Sequence, residues 1–321
     1  MHLPRSGRLA VSLILFATAW HAGATTADAR VTTFDKHVSA GLPQAFSLPV
    51  EDGQTARRVL VARRLNSDVV LPDGNHATLY TGNVAGQEAV FSRTGETLNI
   101  SVDEPAEGKL TRSRRAAALA NRSPTPPEND DDPAGPDALR FWIFLHDRAG
   151  EPDYAKFHHW YLGWWIKDME TAVRPGVAIK VILQANVPGI TDLDYMNAKP
   201  EALYRELLVN ARKYAEARGE RPDRLTKYML FVGDRPTRWR QEGTYGESEA
   251  LRGVAMATGW GPRHIVAHEF GHLLDARHEY AETRWCVTNM KDYTIGFVSC
   301  RYYSRRNDDQ IRAYVRRALE P

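Results

Sequence analysis

The sequence lacks a second long apolar run. Past the first two dozen residues no stretch is continuous and apolar enough to cross a bilayer, which excludes a later transmembrane helix. It also lacks an excess of charge, with 42 Lys and Arg against 40 Asp and Glu. That balance leaves no electrostatic footprint for nucleic acid or for an anionic membrane surface. There is no internal repeat. Cysteine is scarce: only Cys286 and Cys300 occur, so residues 1–285 hold no thiol at all.

What stands at the N-terminus gives the scarce cysteines a context. Met1 to Arg8 carries two arginines and no acid, and Leu9 to Trp20 is apolar but short for a membrane span. Ala22-Gly23-Ala24 has the small-residue spacing of a signal-peptidase site, and Ala27-Asp28-Ala29 offers a second. Residues 1–24 therefore predict a cleaved export signal, the alternative being an uncleaved anchor. In an exported chain two cysteines predict one disulfide, and in a cytosolic one they would stay reduced. Closing a loop of about 15 residues is worth roughly 3 kcal/mol in the chain-entropy account.

Three further regions follow. Between Val31 and Pro105, short apolar stretches such as Arg58–Ala62, Ala89–Phe91 and Thr97–Ser101 are punctuated by Gly53, Asp73-Gly74, Gly82 and Gly95. Residues 25–115 thus predict a small β-rich unit, without the residue types expected of a catalytic site. Its end, Lys109 to Arg115, is strongly basic, and residues 116–137 are rich in Pro, Asn and Asp. The latter predict a disordered linker, and a basic run beside it is a ready site for proteolysis. Residues 25–115 are accordingly expected to be a removable prosegment. A permanent accessory domain is the alternative.

From residue 138 the texture alternates. Strands are expected at Leu139–Leu145, Val177–Leu183, Tyr228–Val232 and Gly253–Thr258, with helices at Tyr154–Ala172 and Pro200–Ala217. That order predicts an α/β layer with a largely parallel sheet. Phe157, Tyr161, Trp164 and Met169 recur at roughly helical spacing, which predicts core. The pair His158-His159 is read as packing or surface.

The chemistry concentrates between Pro262 and His278. His268 and His272 stand one helical turn apart, so both imidazoles leave the same face and can reach one ion. Glu269 follows the first of them and can approach a water on that ion without ligating it. His264 lies one turn earlier still, but positions eight apart on a straight helix are separated by about 12 Å. A third ligand must come from a chain that leaves the helix and turns back. His278 is placed to do so, leaving His264 structural or cleft-lining. Asp275 is the expected breaking point, since Asp tolerates the left-handed conformation better than most residues.

His268, Glu269, His272 and His278 occupy the four functional positions of the metzincin signature, and the region resembles that family of zinc peptidases. Asp275 replaces the usual glycine. The family has a methionine-containing turn beneath its metal, and Met290 is the only methionine after the motif. Cys286 and Cys300 around Met290, with a helix over Asp308–Leu319, look like the reprolysin (adamalysin) branch. The β-rich segment more loosely resembles reprolysin-type propeptides.

The resemblance implies a zincin-like catalytic domain at residues 138–321, of α/β (α+β) class. Its mixed, mainly parallel twisted sheet would be followed by a small C-terminal subdomain after the motif helix. It implies one catalytic Zn2+ on His268, His272 and His278, Glu269 as general base, and Met290 as an apolar floor. It also implies an edge strand at Gly253, Val254, Ala255, Met256 and Ala257 that pairs with an extended protein or peptide substrate. The expected protein is secreted or periplasmic, monomeric and made as a zymogen. A propeptide cysteine cannot supply latency here, because no cysteine precedes Cys286. The rival reading is a secreted, zinc-stabilised binding or adhesion protein without hydrolytic activity.

Overall fold

A computed structural model describes residues 29–51, 54–103, 138–150, 153–175, 178–242, 244–283, 286–291 and 298–320. The expected signal peptide, the basic run and the linker lie outside the described residues.

The frame is one eleven-stranded sheet. Its parallel part is β3 (Asp68–Val70), β8 (Ile179–Ala185), β7 (Leu139–Leu145), β9 (Thr226–Val232) and β11 (Val254–Thr258), in that spatial order. The antiparallel strand β10 (Gly246–Glu249) closes one end. At the other end β3 turns into β4 (His76–Val84), which pairs with β2 (Arg57–Arg64) and β5 (Gln87–Thr94). Beyond these lie β1 (Gln44–Leu48) and β6 (Thr97–Val102).

The central strands read as nearly unbroken apolar runs because helices cover both faces. In β7, Leu139, Phe141, Ile143 and Leu145 point into one core, and Trp142 and Phe144 into the other. In β9, Met229 and Phe231 oppose Tyr228, Leu230 and Val232 in the same way. One face packs on helix Pro200–Glu216, whose Leu203, Tyr204, Leu207, Ala211 and Ala215 are buried at helical spacing. The other face carries the 154–173 helix and the motif helix Ile265–Leu273. Small residues, Ala255 and Ala257, face the motif helix from β11. A third core gathers around Phe34 of helix Ala29–Ser39, against β1, β2, β4 and β5.

The small β-rich unit that the sequence predicts is joined in the structure to the main sheet. Strand β3 pairs in parallel with β8, and Leu65, Val69, Leu71, Ala77, Leu79 and Val90 share one core with Phe141 and Trp165. Polar contacts reinforce the junction. The Glu170 carboxylate accepts the Asn66 amide N–H at 2.8 Å, Lys167 pairs with Glu88 at 2.6 Å, and Ser92 Oγ meets His158 Nδ1 at 2.9 Å. The physical reason is the bare edge that β8 would otherwise present, which β3 caps with main-chain hydrogen bonds.

The 154–173 helix alternates α-helical turns with wider π-helical turns at His158–Leu162 and Met169–Val173. Phe157 and Met169 are fully buried, as the stripe predicts, whereas Tyr161 and Trp164 are only partly covered. The C-terminal helix Arg305–Leu319 starts from Ser304, whose hydroxyl accepts the Asn307 N–H. Arg312 on that helix donates to the Ala172 and Val173 carbonyls, satisfying the end of the 154–173 helix.

Candidate metal centre

The motif helix is held from beneath by aromatic packing and from its end by a tight turn. Phe270 meets Phe141 at 4.6 Å and Trp165 at 5.2 Å between ring centroids, burying a side chain worth about 2–3 kcal/mol. The chain then reverses as a Schellman turn: Ala276 N–H donates to Gly271 O at 2.9 Å and Asp275 N–H to His272 O at 3.1 Å. Asp275 takes φ 68°, the left-handed conformation predicted for it. Its carboxylate pairs with Arg317 at 3.1 Å and Arg277 at 3.5 Å, contacts that offset part of the backbone cost.

That turn carries His278 back to the helix. The three ring nitrogens converge: His272 Nε2 lies 2.8 Å from His278 Nε2, which lies 3.0 Å from His268 Nε2. Among the described residues this is the one cluster with metal-ligand geometry. His264 is outside it, at the N-cap position of the helix and without a side-chain capping bond.

The donor set fits a cation. His268 Nδ1 faces Asn289 O at 2.8 Å and His272 Nδ1 faces Ala276 O at 3.2 Å. A carbonyl can only accept, so each Nδ1 carries the proton and each Nε2 presents a lone pair. Lone pairs facing one another repel unless a cation lies between them. Nitrogens on one tetrahedral ion sit about 3.3 Å apart, close to the spacing found. Burial, and then the neighbouring His272 and His278, hold the His268 pKa well below its ordinary value, which keeps its imidazole neutral.

Glu269 is 2% exposed and lies against β10. Burial, and then Glu247, push its carboxyl well above the usual range, while a hydrogen bond from Ser248 lowers it. Its Oε2 has no hydrogen-bond partner among the described residues. A buried carboxyl of this kind can hold or release a proton.

Met290 is buried under the motif helix. A Cβ added at Gly271 would come within 2.5 Å of its sulfur, so glycine is what lets the two approach. Cys286 and Cys300 form the disulfide, bracketing Met290 as the resemblance implies. Tyr303 completes the support: its hydroxyl donates to Ala267 O and accepts from Trp165 Nε1.

One placement is corrected. Residues 253–257 were expected to be the free edge, but Val254–Thr258 is an inner strand, paired with β9 on one side and β10 on the other. The edge belongs to β10, Gly246–Glu249. It is four residues long, with Gly246 inside it, and reads as a loop in the sequence. The carbonyls of Asn289 and Ala276 were equally invisible, since a main-chain acceptor has no sequence signal.

The fold is therefore a mixed α/β fold built around a three-histidine cluster. No family model and no curated protein matches this sequence. Among solved structures, the crystal structure of metalloproteinase-II from Bacteroides fragilis is similar, with a TM-score of 0.52 at 12% identity. The likeness covers 88% of this chain and 94% of that one. It thus extends well beyond residues 138–321, which make up less than three fifths of the chain.

Proposed function

We propose that the chain is an exported zinc-dependent endopeptidase of the metzincin type, closest to the reprolysin branch and made as a zymogen. The observation that carries this reading is the convergence of three Nε2 nitrogens beside Glu269, next to a sheet edge. A purely structural site needs no such carboxyl, which also weighs against the binding-protein reading.

His268, His272 and His278 would hold the ion. When bound, zinc supplies Lewis acidity at the scissile carbonyl and makes water acidic enough to attack near neutral pH. The chain's own residues do the rest. The main chain of Gly246–Glu249 pairs with an extended peptide and fixes its register. Glu269 Oε2 takes the proton of the attacking water and delivers it to the departing amine nitrogen. Met290 shapes the floor of the site and does not ligate.

Residues 25–115 act as the prosegment, with processing in the basic run before the linker. Because no cysteine precedes Cys286, latency rests on occlusion of the cleft or on a carboxylate and not on a thiol. The protein acts as a monomer outside the cytoplasm. The cysteine pairing accords with that location, and no described helix is long and apolar enough to cross a membrane.

The test compares the purified protein with Glu269→Ala for zinc content and for cleavage of denatured casein. Both should bind about one zinc, and only the wild type should cleave, in a chelator-sensitive way. If both bind zinc and neither cleaves, even after nicking before residue 116, the binding-protein reading replaces this one.

A further inference from the structure

We infer that the pocket at the starts of β9 and β11 is a binding site for a small phosphate ester carrying two or more negative charges. It shares no lining residue with the metal centre, and it stands whether or not the chain is a peptidase. The pocket, about 450 Å³, lies between helix Pro200–Glu216, the first residues of β9, the turn from β10 into β11, and Tyr314 of the C-terminal helix. Its volume is that of a site for a small organic molecule.

Three features define its chemistry. First, three arginines reach it from three separate elements, and all three are exposed. Arg212 stands on the helix, Arg224 precedes β9, and Arg252 lies in the turn Ala250–Arg252. Among the described residues none of them pairs with a carboxylate, whereas Arg140, Arg238 and Arg317 each hold one. The single acid in the lining, Asp223, is engaged: its Oδ1 accepts the Leu225 N–H at 2.8 Å and the Thr226 hydroxyl at 3.1 Å, and its Oδ2 faces Arg140. Second, a buried lysine forms the floor. Lys227 is 2% exposed, and its Nζ donates to Arg224 O at 2.8 Å and to the Tyr314 hydroxyl at 2.6 Å. Burial lowers its pKa to about 8, with Asp223 partly opposing. An anion over the pocket would stabilise that charge through space, without touching it. Third, the frame is fixed before any ligand arrives. Arg224 O also accepts the Tyr314 hydroxyl at 2.9 Å, and Gly253, at φ 73°, closes the turn with its N–H on Glu249 O at 3.0 Å.

A phosphate ester satisfies all three together. The lining carries four cations against one acid, so a singly charged carboxylate would leave most of the field unbalanced. A tetrahedral dianion accepts from guanidiniums that approach from different sides, each offering paired donors. The contacts come from the exposed arginines, and the floor lysine adds only its charge. Leu208 and the fully exposed Leu251 give the carbon skeleton an apolar wall, which a bare inorganic anion would not use.

The experiment titrates the full chain calorimetrically with fructose bisphosphate, phosphorylated at both ends, at about 0.15 M ionic strength, where diffuse surface charge is screened. A dissociation constant of about 10–100 μM is expected, with inorganic phosphate at least about tenfold weaker and fructose not binding. Replacing Arg224→Gln and Arg252→Gln together should weaken the bisphosphate at least about tenfold. Replacing Arg57→Gln and Arg58→Gln removes the same charge from exposed positions on β2 and should leave binding unchanged. Amide hydrogen exchange locates the ligand: residues 223–228 and 250–254 should exchange more slowly when it is bound, and residues 263–270 should not change. No binding, equal binding of inorganic phosphate, equal weakening by the two pairs of substitutions, or protection centred on the motif helix overturns the inference.

Discussion

Consider Gly246→Ala, a change of one methyl group on a strand that holds no metal ligand. A Cβ built on Gly246 would lie 2.2 Å from Glu269 Oε1, 2.6 Å from Cδ and 2.8 Å from Cγ. Non-bonded carbon contacts settle near 3.5 Å, so the carboxylate or the strand must move by roughly 1 Å. Glu269 is 2% exposed, so the carboxylate cannot simply swing out into solvent. Overpacking of this kind costs about 1–3 kcal/mol, and a misplacement of about 1 Å in a reacting group can cost about a hundredfold in rate. The expected result is a fall of about two orders of magnitude in kcat for a quenched peptide, with zinc content unchanged. The zinc is spared because none of the three histidines lies on β10, and carbonyls elsewhere orient His268 and His272. Glu269→Asp shortens the side chain by one methylene and should remove the conflict. Gly246→Ala should therefore cost much less in the Glu269→Asp background than in the wild type. Full activity in Gly246→Ala, or equal loss in both backgrounds, would refute the claim that β10 positions the carboxyl.

The other expectations concern the frame. At Asp275 a glycine should be nearly neutral, within about 1 kcal/mol, because relief of the φ 68° conformation offsets the exposed pairs to Arg317 and Arg277. Valine there should cost about 2–3 kcal/mol and loosen zinc, as read by melting and metal retention. Replacing Cys286 and Cys300 by serine should cost about 3 kcal/mol of stability, measured by denaturant unfolding, for a sequence separation of 14. Burial pushes the Glu170 carboxyl from its ordinary 4.5 up to about 7. The fold therefore favours its protonated form, with that contribution complete below about pH 4.5 and lost as pH rises through 7. Glu170→Gln should gain about 3 kcal/mol on the wild type between pH 4.5 and 8; parallel pH–stability curves for the two would contradict this.

The elements that local pattern determines were legible. Strand β7 occupies the predicted Leu139–Leu145, and helix Pro200–Glu216 ends one residue short of its expected end, because buried apolar runs and a proline at the helix start are local signals. The histidine cluster was legible for the same reason. Helical periodicity places His268 and His272 on one face, and only a reversed chain can bring a third imidazole to them.

Less legible were elements whose identity depends on a distant partner. Strand β4, His76–Val84, exists because β2, β3 and β5 all pair with it. Helix Ala29–Ser39 has few apolar residues, and its buried Phe34 has meaning only against Phe46, Tyr80 and Phe91.

By itself, then, the sequence determined the chemistry: which side chains can meet an ion, which carboxyl stands beside them, and where the chain must turn. The tertiary structure decided everything that main-chain groups and empty space contribute. It set the carbonyls of Asn289 and Ala276 that orient two imidazoles, the short strand Gly246–Glu249 that takes the edge from Val254–Thr258, and the merger of the N-terminal strands with the main sheet. Side-chain identity is written in the sequence, whereas hydrogen-bonding edges and close approaches come into being only when distant segments pack.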